Sequence, residues 1–255
     1  MSENILTLMY HGIIDGASAI PPGREPGAEL YDVSSQIFRK QMQCLKRNDF
    51  HTVFINDSTA QPDNKSLVIT FDDGEFNNYL HALPVLREFA FCAYFFVTVD
   101  RIGKNGYMGW DQLKILVQNG MIVGSHGFYH EGLIHQPLSV IQNELTESKR
   151  ILEYNLKIPI VSFSVPRGFY NQDVLNAAQS AGYRTIFVSQ RNQKDSVSIA
   201  RVAVKKNWSI QRFEQAMRGE IPWQEKKFDA IKNFTKEFLG SKKYNALRSR
   251  ILNKS

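Results

Sequence analysis

Short runs of consecutive apolar residues recur along the chain, separated by longer stretches in which apolar positions return every three or four residues. The runs at 5–14 (ILTLMYHGII), 51–55 (HTVFI), 65–71 (KSLVITF), 91–99 (FCAYFFVTV), 121–126 (MIVGSH), 160–166 (IVSFSVP) and 183–189 (YRTIFVS) are rich in β-branched and aromatic residues and predict strands. Between them, 34–50, 77–89, 109–120, 137–156 and 172–182 carry helical spacing; a serine stands at the start of the first, and Gly120 and Gly182 close the third and fifth. The Gly- and Pro-rich stretch 15–30 predicts loop. Strands without internal polar alternation, interleaved with helices, imply a parallel sheet covered on both faces. Six or seven such units suggest a barrel or a doubly wound sheet, with the functional site at the carboxyl ends of the strands.

Composition narrows the class. The chain has 255 residues, 43% hydrophobic and 22% charged, as expected for an α/β domain or barrel rather than a disordered chain. Cys44 and Cys92 lie far apart and outside any C-x-x-C spacing, so neither a disulfide framework nor a thiolate zinc site is indicated. No apolar run approaches 18 residues. The N-terminus lacks the pattern of a secretory signal, so the expected location is the cytoplasm. The net charge of +6 is concentrated in 226–255, where lysines and arginines alternate with Phe228, Ile231, Phe234, Phe238, Tyr244, Leu247 and Ile251. This segment predicts a pair of C-terminal helices packing on the main domain. Its basic face suits an anionic surface, such as the inner face of a membrane or a pyrophosphate-bearing substrate. Nucleic acid is not expected, because no binding motif accompanies the charge.

Two stretches carry candidate chemistry. In VITFDDGEF (68–76) a strand runs into adjacent carboxylates, Asp72 and Asp73, which repel each other if both ionise. In GSHGFYHEGL (124–133), His126 and His130 follow another strand four residues apart, a spacing that on a helical turn would place both rings on one face. Both motifs belong at the same end of the sheet. Two imidazoles and one carboxylate make a three-ligand site with a position left for water, the pattern of a catalytic metal. The other carboxylate, beside the ion, can then serve as a base.

These residues resemble the polysaccharide deacetylases of the NodB-homology type, carbohydrate esterase family four. The T-F-D-D-G motif of that family stands here as Thr70, Phe71, Asp72, Asp73 and Gly74, and the resemblance makes Asp72 the base and Asp73 a metal ligand. H-(S/T)-x-x-H is met by His126 and His130, with Gly127 at the hydroxyl position. The R-x-P-Y motif survives in outline in FSVPRGFYN (163–171): Ser164 replaces the arginine that orients the base, and Arg167 replaces the tyrosine whose backbone N–H lines an oxyanion hole, so the resemblance makes the Arg167 N–H the oxyanion donor and its side chain a candidate to reach Asp72. D-x-x-x-W and L-x-x-H are not found, and SIARVAVKKNW (198–208), where the general-acid histidine would fall, has none. His11, in an M-Y-H entry strand similar to that of many relatives, is a candidate for the missing acid. His51, His81 and His135 read as structural.

The resemblance covers residues 5–205 and implies a distorted (β/α) barrel of about seven parallel strands. The implied organisation is a deacetylase domain at 1–222 followed by the basic helical segment at 223–255. The implied activity is hydrolysis of an N-acyl amino sugar with a divalent ion, zinc for preference, held by Asp73, His126 and His130. A cytoplasmic location favours a nucleotide- or lipid-linked precursor of a surface polysaccharide as substrate. Two alternatives stay open: a hydrolase of another C–N bond on the same fold, and a sugar-binding protein without catalysis.

Overall fold

The computed structural model describes residues 5–16, 20–55, 62–189, 195 and 197–220. The expected pair of C-terminal helices and the domain boundary at 222/223 lie outside the described residues. Eleven strands and six α-helices are found among those described. The strands are β1 (Leu6–Tyr10), β2 (Ile13–Ile14), β3 (Val33–Ser34), β4 (His51–Thr52), β5 (Ser66–Phe71), β6 (Tyr94–Val97), β7 (Ile122–Ser125), β8 (Ser162–Ser164), β9 (Thr185–Val188), β10 (Ile199–Ala200) and β11 (Val202–Ala203). The helices are α1 (Ser35–Arg47), α2 (Leu83–Glu88), α3 (Trp110–Gln118), α4 (Leu138–Leu156), α5 (Gln172–Ser180) and α6 (Ile210–Met217). α2 continues from a π-helical turn at Asn78–Ala82, a geometry that recurs near functional sites.

Every strand pairing is parallel, and the main sheet runs β10-β9-β8-β7-β6-β5-β1-β11, with β4 beside the start of β5. Its two ends meet in one short segment: Ile199 and Ala200 pair with β9, and two residues later Val202 and Ala203 pair with β1. The sheet is thereby nearly closed into a barrel, with Arg201 at the seam. Val68, Tyr94, Phe96 and Phe187 form one buried apolar cluster. A larger cluster joins Leu8, Ile69, Phe71, Phe95 and Val123 to the helices. On β5 the two sets alternate with period two, so Val68, Thr70 and Asp72 share one face. Gly124 on β7 leaves room for the Phe96 ring, because a Cβ there would fall 2.5 Å from it.

The run at 5–14 is not one strand. β1 ends at Tyr10, and β2 leaves for a small separate sheet with β3. At the break, a Cβ on Gly12 would collide with the Asp32 carboxylate, and the Ile13 N–H donates to Asn77 Oδ1 at 3.0 Å. His11 sits at this departure, and its side chain is released from the strand alternation.

Candidate active site

Adjacent residues of an extended strand face opposite ways, yet Asp72 and Asp73 both serve one pocket. β5 stops at Phe71, and Asp73 adopts φ 74°, followed by Gly74 at the same angle. That left-handed turn brings the second carboxylate to the side of the first. A side chain at Gly74 would also meet Val97, 2.9 Å from its Cβ.

The histidines lie in a loop after β7 and not on a helical turn. Gly127 at φ 77° and His130 at φ 62° fold the loop so that the two rings come within 5.0 Å, centroid to centroid. Backbone hydrogen bonds of the loop go to side chains: Ser125 Oγ accepts from Gly127 N–H, and the buried Glu144 of α4 accepts from Phe128 and Tyr129 at 3.0 and 2.7 Å. His126 Nδ1–H donates to the Ser164 carbonyl at 2.8 Å, which fixes the tautomer and leaves Nε2 as a lone-pair donor. Nε2 lies 3.9 Å from Asp73 Oδ1 and 4.0 Å from Asp72 Oδ2. Burial pushes the His126 pKa down to about 4, so the ring is neutral. His130 goes the other way. Burial opposes its charge, but Asp73, 3.1 Å from Nε2, and Glu25, 3.2 Å from Nδ1, lift it to about 9.

One donor atom each from Asp73, His126 and His130 falls within a 4.8 Å group. The donor set fits a divalent ion: a carboxylate held well below the usual range despite burial, one imidazole already deprotonated at Nε2, and one whose Nε2 proton occupies the place of a cation. Arg101 also donates to Asp73 Oδ1 at 2.8 Å.

Asp72 is 2% exposed, and burial alone would neutralise it. Arg201 prevents this through a two-point pairing, Nη1 to Oδ1 at 2.7 Å and Nη2 to Oδ2 at 2.8 Å. Arg201 outweighs desolvation and holds the carboxyl below its ordinary value. Arg201 Nη2 also donates to Ser164 Oγ at 2.8 Å, and that hydroxyl donates to Asp72 Oδ2 at 3.2 Å. The guanidinium that holds Asp72 therefore comes from the barrel seam, and Ser164 leaves the space it needs. Arg167 does not reach Asp72. It occupies a turn after β8 at φ 60°, its Nη2 pairs with Glu25 Oε1 at 2.7 Å, and its Nε donates to the His130 carbonyl at 3.3 Å. His11 is enclosed beside Tyr31, its Nδ1 has no hydrogen-bond partner, and burial lowers its pKa. Its electrostatic neighbours include Asp73, Asp72, Arg201 and His130, so it belongs to the same pocket.

The sequence profile of the polysaccharide deacetylase family matches residues 59–186, half of the chain. The chain belongs to the polysaccharide deacetylase family. Among curated deacetylases, the putative polysaccharide deacetylase YxkH of Bacillus subtilis is 30% identical over 183 residues, 69% of this chain and 61% of its own. The peptidoglycan-N-acetylglucosamine deacetylase of Bacillus cereus is 30% identical over 130 residues, 50% of this chain and 59% of its own. The chain thus spans about three fifths of the length of these relatives. Among solved deacetylases, PplD of Streptococcus pyogenes, in complex with acetate, superposes with a TM-score of 0.73 at 24% identity, covering 84% of this chain and 97% of that one. IcaB from Ammonifex degensii gives 0.70 at 20%, covering 84% and 95%. These likenesses establish the deacetylase fold, a parallel sheet nearly closed into a barrel. Among the described residues no helix is long and apolar enough to cross a membrane.

Proposed function

We propose that the protein is a metal-dependent deacetylase that removes the N-acetyl group from an amino sugar of a surface polysaccharide or of its precursor. The observation that carries this reading is a carboxylate kept ionised inside the barrel by Arg201, next to three convergent metal-ligand atoms. A sugar-binding protein has no use for a buried, ionised base. The sugar class rests on relatives named for peptidoglycan-N-acetylglucosamine, peptidoglycan-N-acetylmuramic acid and poly-β-1,6-N-acetyl-D-glucosamine.

Asp73, His126 and His130 would hold the ion, and two imidazoles with a carboxylate suit zinc. When bound, zinc supplies Lewis acidity and an acidified water. Asp72 Oδ2 takes the proton of the attacking water, and Arg201 keeps that carboxylate charged and aimed. The water oxygen adds to the acetyl carbon, and the Arg167 backbone N–H stabilises the resulting oxyanion. Collapse breaks the C–N bond, and the electron pair leaves on the amine. His11 returns a proton to that nitrogen. Its ring is neutral at rest, so it first takes the proton that Asp72 drew from the water and then passes it on, and Asp72 ends ionised again. Tyr129, between the two histidines in sequence, is 61% exposed, and its ring is accessible for stacking on a sugar.

The test is acetate release from peptidoglycan fragments and from oligomers of N-acetylglucosamine, by the native chain and by Asp72→Asn. Turnover falls about 10²–10⁴-fold in the variant, the range of general-base loss, while bound zinc is retained. Equal turnover in both proteins contradicts the assignment of the base.

A further inference from the structure

The Gly- and Pro-rich stretch after β2 is not a slack connection. Arg24 pairs with Asp32 through two hydrogen bonds of 3.0 and 2.7 Å, and its Nε lies 3.1 Å from the buried Glu75. Pro21 packs so closely on Gly106 that a Cβ there would fall 2.5 Å from the proline Cα. Anchored at these points, the segment carries Glu25 to the edge of the pocket. Glu25 Oε1 then meets two groups at once: His130 Nδ1 at 3.2 Å and Arg167 Nη2 at 2.7 Å. Arg167 closes the figure through its Nε, which donates to the carbonyl of the same histidine at 3.3 Å. His130 is thus held by its ring and by its main chain, at a φ of 62° that a non-glycine residue does not adopt without support.

A histidine that ligates through Nε2 must present that nitrogen unprotonated and in one orientation, and a carboxylate accepting from Nδ1–H secures both. His126 obtains this from the Ser164 carbonyl, so its partner is backbone and independent of side chains. We propose that Glu25 is the positioning residue for His130, with Arg167 acting through Glu25, and that the anchored 20–32 loop is therefore part of the metal site. The inference rests on the metal reading given above. It also assigns the Arg167 side chain a task separate from its backbone N–H.

Zinc affinity of the full chain, read by competition with a chelating dye, tests the inference without recourse to activity. Glu25→Ala weakens zinc binding by about 10–100-fold, the usual effect of losing such a partner. Glu25→Gln keeps an acceptor for Nδ1–H and stays within a few-fold of the native chain. Glu29→Gln, which removes the same charge from an exposed position of the same loop, changes nothing. Arg167→Ala weakens binding in the native background and has a smaller effect in Glu25→Ala, where only its hydrogen bond to the His130 carbonyl is left to lose. Native affinity in Glu25→Ala overturns the inference. So does a loss in Glu25→Gln as large as in Glu25→Ala, because the effect would then be one of charge and not of orientation. A native chain that takes up no zinc overturns the metal reading itself, an outcome visible before any variant is made.

Discussion

Asp72 and Arg201 cannot be understood separately. A carboxylate at 2% exposure holds its charge only with a partner, and the guanidinium supplies two charge-assisted hydrogen bonds to it while resting near the Phe96 and Phe187 rings. Removing one member leaves the other charged and unpaired in the barrel. Arg201→Met is therefore expected to cost about 3–5 kcal/mol of stability in denaturant unfolding. Adding Asp72→Asn to that variant should recover a large part of the loss, since the buried charge is gone. A single variant as stable as the native chain would show that water reaches Asp72. The sequence made Asp72 legible because its motif is contiguous. Arg201 was not legible: it stands 129 positions away, and the resemblance directed attention to 164 and 167 for the arginine. The same distance problem hid Glu25, 105 residues from His130.

Elements set what the residues can do. The strand runs and helical spacings marked most of the barrel correctly, because the central strands such as β5, β6 and β9 are buried along their whole length and read as largely apolar runs. What they missed are the shortest pieces. β10 and β11 are two residues each, too brief for any periodicity, and β2 leaves the line of β1 without a change in hydrophobicity. The histidine loop shows a different limit, since its shape depends on left-handed residues and on Glu144 from α4. Gly127 occupies φ 77°, where a Cβ would lie 3.3 Å from both Glu144 Oε1 and Pro166 Cγ. Installing the hydroxyl residue of the family motif should therefore harm this loop. Gly127→Ser is expected to lower stability by about 1–3 kcal/mol and to weaken zinc binding, measured by denaturant unfolding and dye competition. An increase in both would mean that the loop follows another path in the native chain.

At the scale of the whole molecule, the barrel closes at Arg201 and opens at the carboxyl ends of β5, β7 and β8. Closure puts Asp72 and Arg201 inside, while Asp73, His126 and His130 follow the strand ends. The alternation of strands and helices implies the parallel sheet, but not its near-closure through a single five-residue segment. The central claim is that Asp73, His126 and His130 hold a metal ion, and calorimetric titration of zinc into the metal-stripped full chain near neutral pH tests it most directly. With the His130 pKa raised to about 9, the metal-free site carries one proton that zinc must displace, whereas His126 at about 4 carries none. Affinity should accordingly rise with pH up to about 9 and then level off. The expected result is one zinc per chain with about one proton released, both lost in the His126→Ala, His130→Ala double variant. No binding, or binding unaffected by the double variant, would contradict the metal site and the hydrolytic reading built on it.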